Sequence, residues 1–206
     1  MAGAFSWPLS PEQLYHGRLI FNRLLFVYKT TSIIRQGLLY GKPYDMTVNT
    51  MFNQLPYAAA DAYHDNRLDD LDFLLDQWTQ IAIDEHLSMY GEAVYMRHTY
   101  NGLIALDNGD VSLAKKELLM AGRSPKSAVL YSFGPNMSLA NRVLEEGEQE
   151  NVLLFLKYCR AFWMLPFWLY YTTPWKRAIH AGKIPDFKMH LKMFMQRPPS
   201  KVKERG

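Results

Sequence analysis

Cysteine is almost absent from this sequence, since Cys159 is the only one among 206 residues. A single cysteine excludes an internal disulfide framework and a multi-cysteine zinc site, and it favours a reducing, cytoplasmic setting. A large excess of charge is also missing, because 23 Lys and Arg face 20 Asp and Glu and leave a formal net charge of +3. This excess is too small to indicate nucleic-acid or membrane binding by itself.

Long uninterrupted hydrophobic runs are missing as well. The most apolar stretch, residues 151–171, contains Lys157, Arg160 and Pro166, so it falls short of a membrane-spanning helix. The first residues hold neither a basic segment nor a long apolar run before a small-residue cleavage site, and no secretory signal is expected. Peripheral association with a membrane through an amphipathic face stays open as an alternative.

The residues that are present favour a globular, helical protein. The apolar share of 49% and the charged share of 21% are ordinary for a folded domain, and the length favours a single one. Ser10 and Pro11 form a helix-start signal, and apolar residues then recur every three or four positions to about residue 36. Residues 44–56 follow no clear period, so we expect loop with at most one short helix there.

The clearest organisation lies in residues 98–125, where small residues stand at positions at which two helices must approach closely. Gly102 lies on the first predicted helix, and Ala114 and Ala121 lie on the second. An Asn-Gly-Asp turn separates the helices and ends at Asp110, which is placed to cap the second one. The segment therefore predicts two helices joined by a tight turn.

The same frame recurs along the chain. A shift of 38 positions places Gly109 on Gly147 and Ala121 on Cys159, which predicts a second helix pair. A weaker copy lies 43 positions before the first, with Asn66 at its turn. Approximate copies of this kind indicate helix pairs that share a core because one pair cannot bury its apolar faces alone.

Residues 98–125 resemble a tetratricopeptide repeat. They match that family at its small and apolar positions, but Asn101 stands where a large apolar residue is usual. The order of motifs from about His98 to Phe187 is also similar to that of a group of uncharacterised bacterial helical-repeat proteins. The positions that match the tetratricopeptide family are Gly102, Ala114, Leu118 and Ala121.

These resemblances imply an all-α fold of antiparallel helical hairpins stacked as a short solenoid, whose concave surface binds peptides or protein partners. They imply no catalytic activity. We expect one all-helical domain over residues 1–195 and a basic flexible tail over 196–206. The predicted hairpins cover residues 57–80, 98–122 and 136–163.

Acidic residues dominate positions 61–86, where Arg67 is the one Lys or Arg among eight acids. On a continuous helix several of these acids would share a face and repel one another. The plainer interpretation is a solvated surface broken by a turn at Asp65-Asn66. The functional interpretation is a contact surface for a basic protein, with candidate residues Asp65, Asp69, Asp72 and Asp76.

A carboxylate–histidine metal site is a further hypothesis. Asp61 and His64 share one helical turn, and Glu85 and His86 would come from a neighbouring helix. Such a site would support a metal-assisted hydrolase. No Glu-x-x-His or His-Glu-x-x-His motif occurs, and histidines that are only hydrogen-bonded are the plainer interpretation.

Nucleophilic catalysis has little support in the sequence. Cys159 stands in an apolar helical run where the repeat frame requires a small buried side chain, so we expect it in the core. The sequence has no Gly-x-Ser-x-Gly elbow and no phosphate-binding glycine loop. An enzyme is therefore the less favoured class, and we expect no cofactor.

A Gly134-Pro135 break precedes Asn136, which is a good helix cap. The favoured interpretation is a structural corner that packs Phe133 under the next helix. The alternative is a ligand-binding loop in which Tyr131 and Asn136 make the contacts.

Aromatic residues crowd the stretch 162–175. Core filling is the plainer interpretation, and a partner or dimer surface is the alternative, with Trp168 and Trp175 as candidate contacts. Thr173 before Pro174 is predicted to start a last helix that ends near Gly182.

The leading functional hypothesis is a cytoplasmic, non-catalytic protein-binding module, such as an adaptor or an immunity protein that neutralises a toxin. The partner would be another protein, and a basic one if it meets the acidic segment. Nucleic acid is not expected, and a homodimer stays open. A metal-assisted hydrolase and a peripheral membrane protein are the alternatives.

Overall fold

The structure, a computed structural model, describes residues 48–84, 87–193 and 195. All regular structure in these residues is helical, which confirms the all-α prediction for them. Three short 3₁₀ helices, Leu87–Met89, Cys159–Ala161 and Lys188–Leu191, accompany eight α-helices. In chain order the α-helices are α1 (Val48–His64), α2 (Leu68–Asp84), α3 (Tyr90–Asp107), α4 (Val111–Ala121), α5 (Ala128–Phe133), α6 (Ser138–Glu145), α7 (Gln149–Tyr158) and α8 (Leu165–His180).

Successive helices pack in pairs across short turns. Helix α1 packs on α2, α3 on α4, and α6 on α7. Neighbouring pairs are also in contact, since α2 packs on α3 and α4 packs on both α6 and α7. Helix α8 packs on α7. Each pair therefore buries apolar side chains against the next, and a tetratricopeptide-like solenoid stays a prediction.

The turns within the three pairs lie where the sequence predicted them. Asn66, Gly109 and Gly147 each adopt positive φ, at 55°, 76° and 80°. No atom lies within 4 Å of a Cβ built on either glycine, so backbone conformation and not space selects glycine there. Asp110 accepts a hydrogen bond from the amide of Leu113 at 2.9 Å and caps α4 as predicted.

Positions related by the 38-residue shift lie in similar environments. Ala114 and Val152 are fully buried, and so are Ala121 and Cys159. Gly102 is buried for a reason beyond its own pair, because a Cβ there would lie 2.4 Å from Cδ2 of Leu139 on α6. The small residue at position 102 thus allows α3 to approach the next pair as well as its own partner helix.

The prediction of loop with at most one short helix over residues 44–56 is wrong for the described part, residues 48–56, which is entirely helical. Residues 48–56 belong to α1, and Pro56 lies inside that helix. A proline in a helix removes one amide donor and crowds the preceding turn, but the buried ring of Pro56 contributes to the apolar side of α1. Packing thus overrides the local preference. The helix predicted to start at Ser10 and the tail predicted over 196–206 lie outside the described residues.

The predicted start of the last helix is also wrong. Helix α8 begins at Leu165 and not at Thr173. Pro166 occupies its first turn, where a proline costs no helical hydrogen bond, and Pro174 lies inside the helix. The predicted end is confirmed, because α8 stops at His180 and Gly182 has a φ of 71°.

After α8 the chain folds back onto the corner between α5 and α6. Three successive corner residues, 136–138, donate hydrogen bonds to carbonyl groups of the returning segment. These bonds attach residues 190–193 to the start of α6. The donors and acceptors are Met137 N to His190 O at 2.8 Å, Ser138 Oγ to Leu191 O at 3.0 Å, and Asn136 Nδ2 to Met193 O.

Candidate functional site

The acidic segment is divided between two helices. The turn after His64 separates α1 from α2, so Asp61 is 6% exposed on α1, apart from the aspartates of α2. Within the turn, Arg67 forms ion pairs with Asp70 at 2.6 Å and with Asp65 at 3.7 Å. The predicted break at Asp65-Asn66 is therefore confirmed, and it relieves the repulsion expected of one continuous helix.

A second arginine offsets the charge of α2. Arg97 on α3 forms ion pairs with both Asp72 and Asp76. The two aspartates are 75% and 63% exposed at their side chains, and Asp69 is exposed beside them. The sequence could not reveal this pairing, because Arg97 lies outside the acidic segment. The acidic surface of α2 is thus partly neutralised from within the chain.

Of the proposed metal ligands, Asp61 and His64 lie among the residues that the structure describes. A ring nitrogen of the exposed His64 donates to the carbonyl oxygen of Met195 at 2.9 Å. Among the residues that the structure describes, no three His, Cys, Asp or Glu side chains are placed to hold a metal ion. Glu85 and His86 lie outside those residues, so their part of the hypothesis stays a prediction.

Cys159 lies in the core, as the repeat frame predicted. Its side chain is fully buried, and burial raises the pKa of the thiol well above its ordinary value. A thiol with a raised pKa forms little of the thiolate that reacts as a nucleophile. Cys159 is therefore a packing residue in this fold.

Asn136 directs its polar groups into the fold. Its Oδ1 accepts from the amide of Ser138 at 2.8 Å, which helps to start α6, and its Nδ2 donates to the carbonyl of Met193. Its backbone carbonyl accepts a hydrogen bond from the hydroxyl of Tyr95. Of the two candidate ligand contacts at this corner, Asn136 is buried and only Tyr131 is exposed to a ligand.

The predicted packing of Phe133 under the next helix is wrong, because Phe133 is exposed. The indole of Trp163 occupies the space under the corner instead. A Cβ built on Gly134 would lie 2.3 Å from that ring, and Gly134 has a φ of 80°. Glycine is required here both by its backbone conformation and by the close approach of Trp163.

The tryptophans of the stretch 162–175 fill the core. Trp168 and Trp175, the candidate partner contacts, are 8% and 5% exposed, so they offer little surface to a partner. The indole N–H of Trp168 donates to the carbonyl of Leu156 at 2.8 Å. The exposed aromatic residues of this stretch are Phe167 and Tyr170.

A buried histidine joins the end of the described chain to these aromatic rings. Three rings surround the imidazole of His190, with centroid distances between 4.8 and 5.4 Å. Its Nδ1 donates to the carbonyl of Pro135 at 3.1 Å, and burial lowers the pKa of the imidazole. This packing holds the returning segment against α8 and against the corner at Pro135. The surrounding rings are those of Trp163, Tyr171 and Trp175.

Opposite this core, the first turns of α8 expose only uncharged side chains. No residue between Arg160 and Lys176 is charged, and Tyr170 is 73% exposed. Helix α5 lies beside the start of α8, because the amide of Met164 donates to the carbonyl of Tyr131 at 3.1 Å. We name the following exposed residues the apolar face: Tyr131, Phe133, Leu165, Phe167, Leu169 and Tyr170.

A cleft of about 560 Å³ lies where α4 and α7 end. Arg123 stacks over the ring of Tyr158, with its guanidinium carbon 4.5 Å from the ring centroid, and it donates to the Tyr158 hydroxyl at 2.7 Å. The guanidinium carbon of Arg160 lies 5.8 Å from the ring centroid of Trp168. We name this site the basic cleft, and its lining residues are Gly122, Arg123, Lys157, Tyr158, Arg160 and Ala161.

The sequence analysis missed the basic cleft because its three cations come from separate positions of two helix ends. In the sequence, Lys157 and Arg160 stand out only as charges that interrupt the apolar stretch 151–171. The repeat frame held the necessary signal, because it places the ends of α4 and α7 at equivalent positions of adjacent pairs. Basic residues at those ends, including Arg123, therefore meet in space.

Comparison of the chain with protein-family models, curated proteins and solved structures gave no match. Across residues 48–84 and 87–193, no helix combines the length and the apolar character needed to cross a membrane.

Proposed function

We propose that this chain is a non-catalytic helical-repeat module that binds another protein, with the apolar face as its main contact surface. The observation that carries the proposal is the group of six large exposed apolar side chains on α5 and the start of α8. Within α8, Leu165 and Leu169 lie on one side of the helix and Phe167 and Tyr170 on another. Such a concentration of exposed apolar side chains marks an interaction site more often than single exposed residues do. Aromatic residues such as Phe167 and Tyr170 are typical of the centres of such sites.

The size of the apolar face limits what it can do alone. Full burial of a large apolar side chain contributes roughly 2 kcal/mol, and these six side chains are already partly buried, which leaves on the order of 6 kcal/mol to gain. Association costs about 4–15 kcal/mol in lost freedom of motion. The proposed partner must therefore make polar or charged contacts beside the apolar face.

Two biological roles fit a module of this kind. An adaptor would hold two proteins together, and an immunity protein would cover the active surface of a toxin. The exposed Asp69, Asp72 and Asp76 support contact with a basic partner, but Arg97 already offsets two of them. We therefore propose the acidic surface as secondary to the apolar face. A reducing compartment such as the cytoplasm suits either role.

Single charges placed on the apolar face test the proposal. We expect Phe167→Glu and Tyr170→Glu to lose a protein partner that the wild type captures from cells of its source. The matched control is Ile184→Glu, because Ile184 is a similarly exposed apolar residue outside the apolar face, and it should retain the partner. Unchanged capture by Tyr170→Glu would contradict the proposal.

Two further measurements identify other occupants of the apolar face. Light scattering during size-exclusion chromatography reports a homodimer, and dimerisation lost in Tyr170→Glu would make the occupant a second copy of the chain. Co-sedimentation with liposomes, lost in the same variant, would favour the peripheral membrane alternative. Either result would replace the proposed protein partner by the occupant it identifies.

A further inference from the structure

We infer that the basic cleft binds an acidic peptide segment of a protein partner. The inference is independent of the apolar face, because the residues that line the basic cleft belong to the ends of α4 and α7. Arg123, Lys157 and Arg160 are exposed, and none of them takes part in an ion pair with another described residue. The acidic surface of α2 differs, because several of its charges are paired within the chain.

The cations exceed the local negative charge. Each helix C-terminus carries roughly half a negative charge, and α4 and α7 both end at the basic cleft. Lysine and arginine at helix C-termini are stabilising for this reason. Three full positive charges against two partial negative ones nevertheless leave the described lining of the basic cleft positive. An anionic group that binds there would pair with cations that form no ion pair with another described residue.

The arginines are held in place before a ligand arrives. Stacking on Tyr158 and the hydrogen bond to its hydroxyl restrain Arg123, and Arg160 lies against Trp168. A guanidinium that stacks through its face keeps N–H donors along its edge, where they match the two oxygens of a carboxylate. Restraint of these long side chains lowers the entropy lost on binding.

The lining of the basic cleft favours a peptide over a nucleic acid. The ring faces that bases would stack on are already occupied, because Arg123 covers Tyr158, and Arg160 and Lys176 approach Trp168. Single-strand binders depend on free aromatic faces of this kind. Nucleic-acid sites also bring about 6–10 phosphate contacts, more than three cations supply. A short acidic peptide instead needs two or three charged contacts and an apolar floor.

A displayed library of random 12-residue peptides tests the inference on the full chain. We expect the wild type to enrich peptides with excess Asp and Glu, and the double variant Arg123→Glu/Arg160→Glu to lose them. The matched control is Lys116→Glu/Lys183→Glu, which makes the same change of net charge at two exposed lysines and should retain the acidic peptides. Circular dichroism and urea unfolding confirm that each variant is folded.

Fluorescence anisotropy with the best enriched peptide then measures the affinity. Loss of one charged hydrogen bond in Arg123→Gln or Arg160→Gln should weaken binding about tenfold, and added salt should weaken wild-type binding further. Tyr170→Glu should leave the affinity unchanged, so a failure here is distinguishable from a failure of the proposed apolar contact.

Four outcomes would overturn the inference. The first two are a selection that enriches no peptide and one whose peptides carry no acidic excess. The third is equal loss of binding in the lysine control. The fourth is a single-stranded DNA 12-mer that binds more tightly than the peptides and is released by Arg123→Glu/Arg160→Glu, because it would make the site one for nucleic acid.

Discussion

A Cβ atom built on Gly91 would lie 2.0 Å from the carbonyl oxygen of Pro125. The start of α3 and the loop before α5 are therefore in direct backbone contact. Two residues later in that loop, Ser127 caps α5 by accepting a hydrogen bond from the amide of Leu130 at 3.1 Å. The contact at Gly91 thus positions the helix that contributes two residues to the apolar face.

Substitution of Gly91 by alanine should be strongly destabilising. The atoms in its way belong to the backbone of Pro125 and Lys126, so a side-chain rotation cannot relieve the overlap. Alanine gains about 1 kcal/mol of helix propensity, but overpacking usually costs about 1–3 kcal/mol, and the upper end of that range applies where backbone must move. We expect a net loss of about 2 kcal/mol in the free energy of unfolding, measured by urea denaturation.

The exposed Ser88, three positions earlier, provides the control for Gly91. Ser88→Ala should change the free energy of unfolding by no more than about 0.5 kcal/mol. If Gly91→Ala is as stable as the wild type, the loop before α5 can move aside with no loss in the free energy of unfolding. That result would refute the role assigned to this contact.

The difference between Gly109 and Gly91 shows what could be predicted from the sequence. Gly109 and Gly147 serve turns whose signal is local, because a turn sequence separates two apolar helical patterns. Gly91 and Gly134 are required by Pro125 and Trp163, which are remote in the chain. A single sequence does not reveal contacts between remote residues, so it cannot show which glycines are required by such contacts and which could be replaced.

The same limit applies to the prolines and to the candidate surfaces. Pro56 ends a predicted loop and Pro174 begins a predicted helix, but both lie inside helices. Burial of Pro56 itself, and of Trp175 beside the exposed Pro174, outweighs the hydrogen bond that each proline removes. The aromatic residues of the stretch 162–175 predicted that this part of the chain fills the core, but they did not show which rings face solvent. Exposure depends on the neighbours of each helix face, and these are set by contacts between pairs.

Glu92 should make stability depend on pH. Its side chain is 2% exposed, and burial raises the pKa of the carboxyl from 4.5 to about 8. The folded state then binds more protons than the unfolded state between these two values, so the free energy of unfolding falls as pH rises through them. The full loss is on the order of 5 kcal/mol, because one pKa unit corresponds to about 1.4 kcal/mol.

Glu92→Gln should remove this dependence. Urea denaturation of both proteins should be measured at several values between pH 6 and 9. The free energy of unfolding of the variant should rise relative to that of the wild type as pH rises. Glu150→Gln, at an exposed position, should follow the wild type at every pH. Parallel curves for Glu92→Gln and the wild type would mean that Glu92 does not carry a raised pKa in the fold.

His190 should have the opposite effect on the acidic side. Burial lowers the pKa of its imidazole below the ordinary 6.5, so the unfolded chain binds a proton first as pH falls. The free energy of unfolding should therefore decrease as pH falls below about 6.5. Protonation also disfavours the buried packing against Trp163 and Trp175, so their fluorescence should report release of the returning segment.

A non-titrating substitute tests the assignment to His190. His190→Asn keeps an N–H donor near the carbonyl of Pro135 but binds no proton, so it should lose less stability than the wild type between pH 7 and 5. His180→Asn, at an exposed position on α8, should behave as the wild type does. An acid-induced loss in His190→Asn as large as that of the wild type would assign the effect to another group.

Arg97 should contribute little to stability even though it pairs with two aspartates. Asp72 and Asp76 are 75% and 63% exposed at their side chains, and exposed ion pairs contribute about 0–1 kcal/mol each. Arg97→Gln should therefore lower the free energy of unfolding by about 1 kcal/mol or less. The loss should shrink in 1 M salt, because salt screens the repulsion left between Asp72 and Asp76.

The same variant tests the acidic surface as a contact for a basic partner. Arg97→Gln makes that surface more acidic, so it should strengthen binding of a basic partner, whereas Asp72→Asn/Asp76→Asn should weaken it. Measurement of both variants separates an electrostatic contact from a general loss of structure, because the two changes have opposite signs only if charge is responsible. Equal affinities for the wild type and both variants would remove the acidic surface from the binding site and leave the apolar face and the basic cleft as the contacts to pursue.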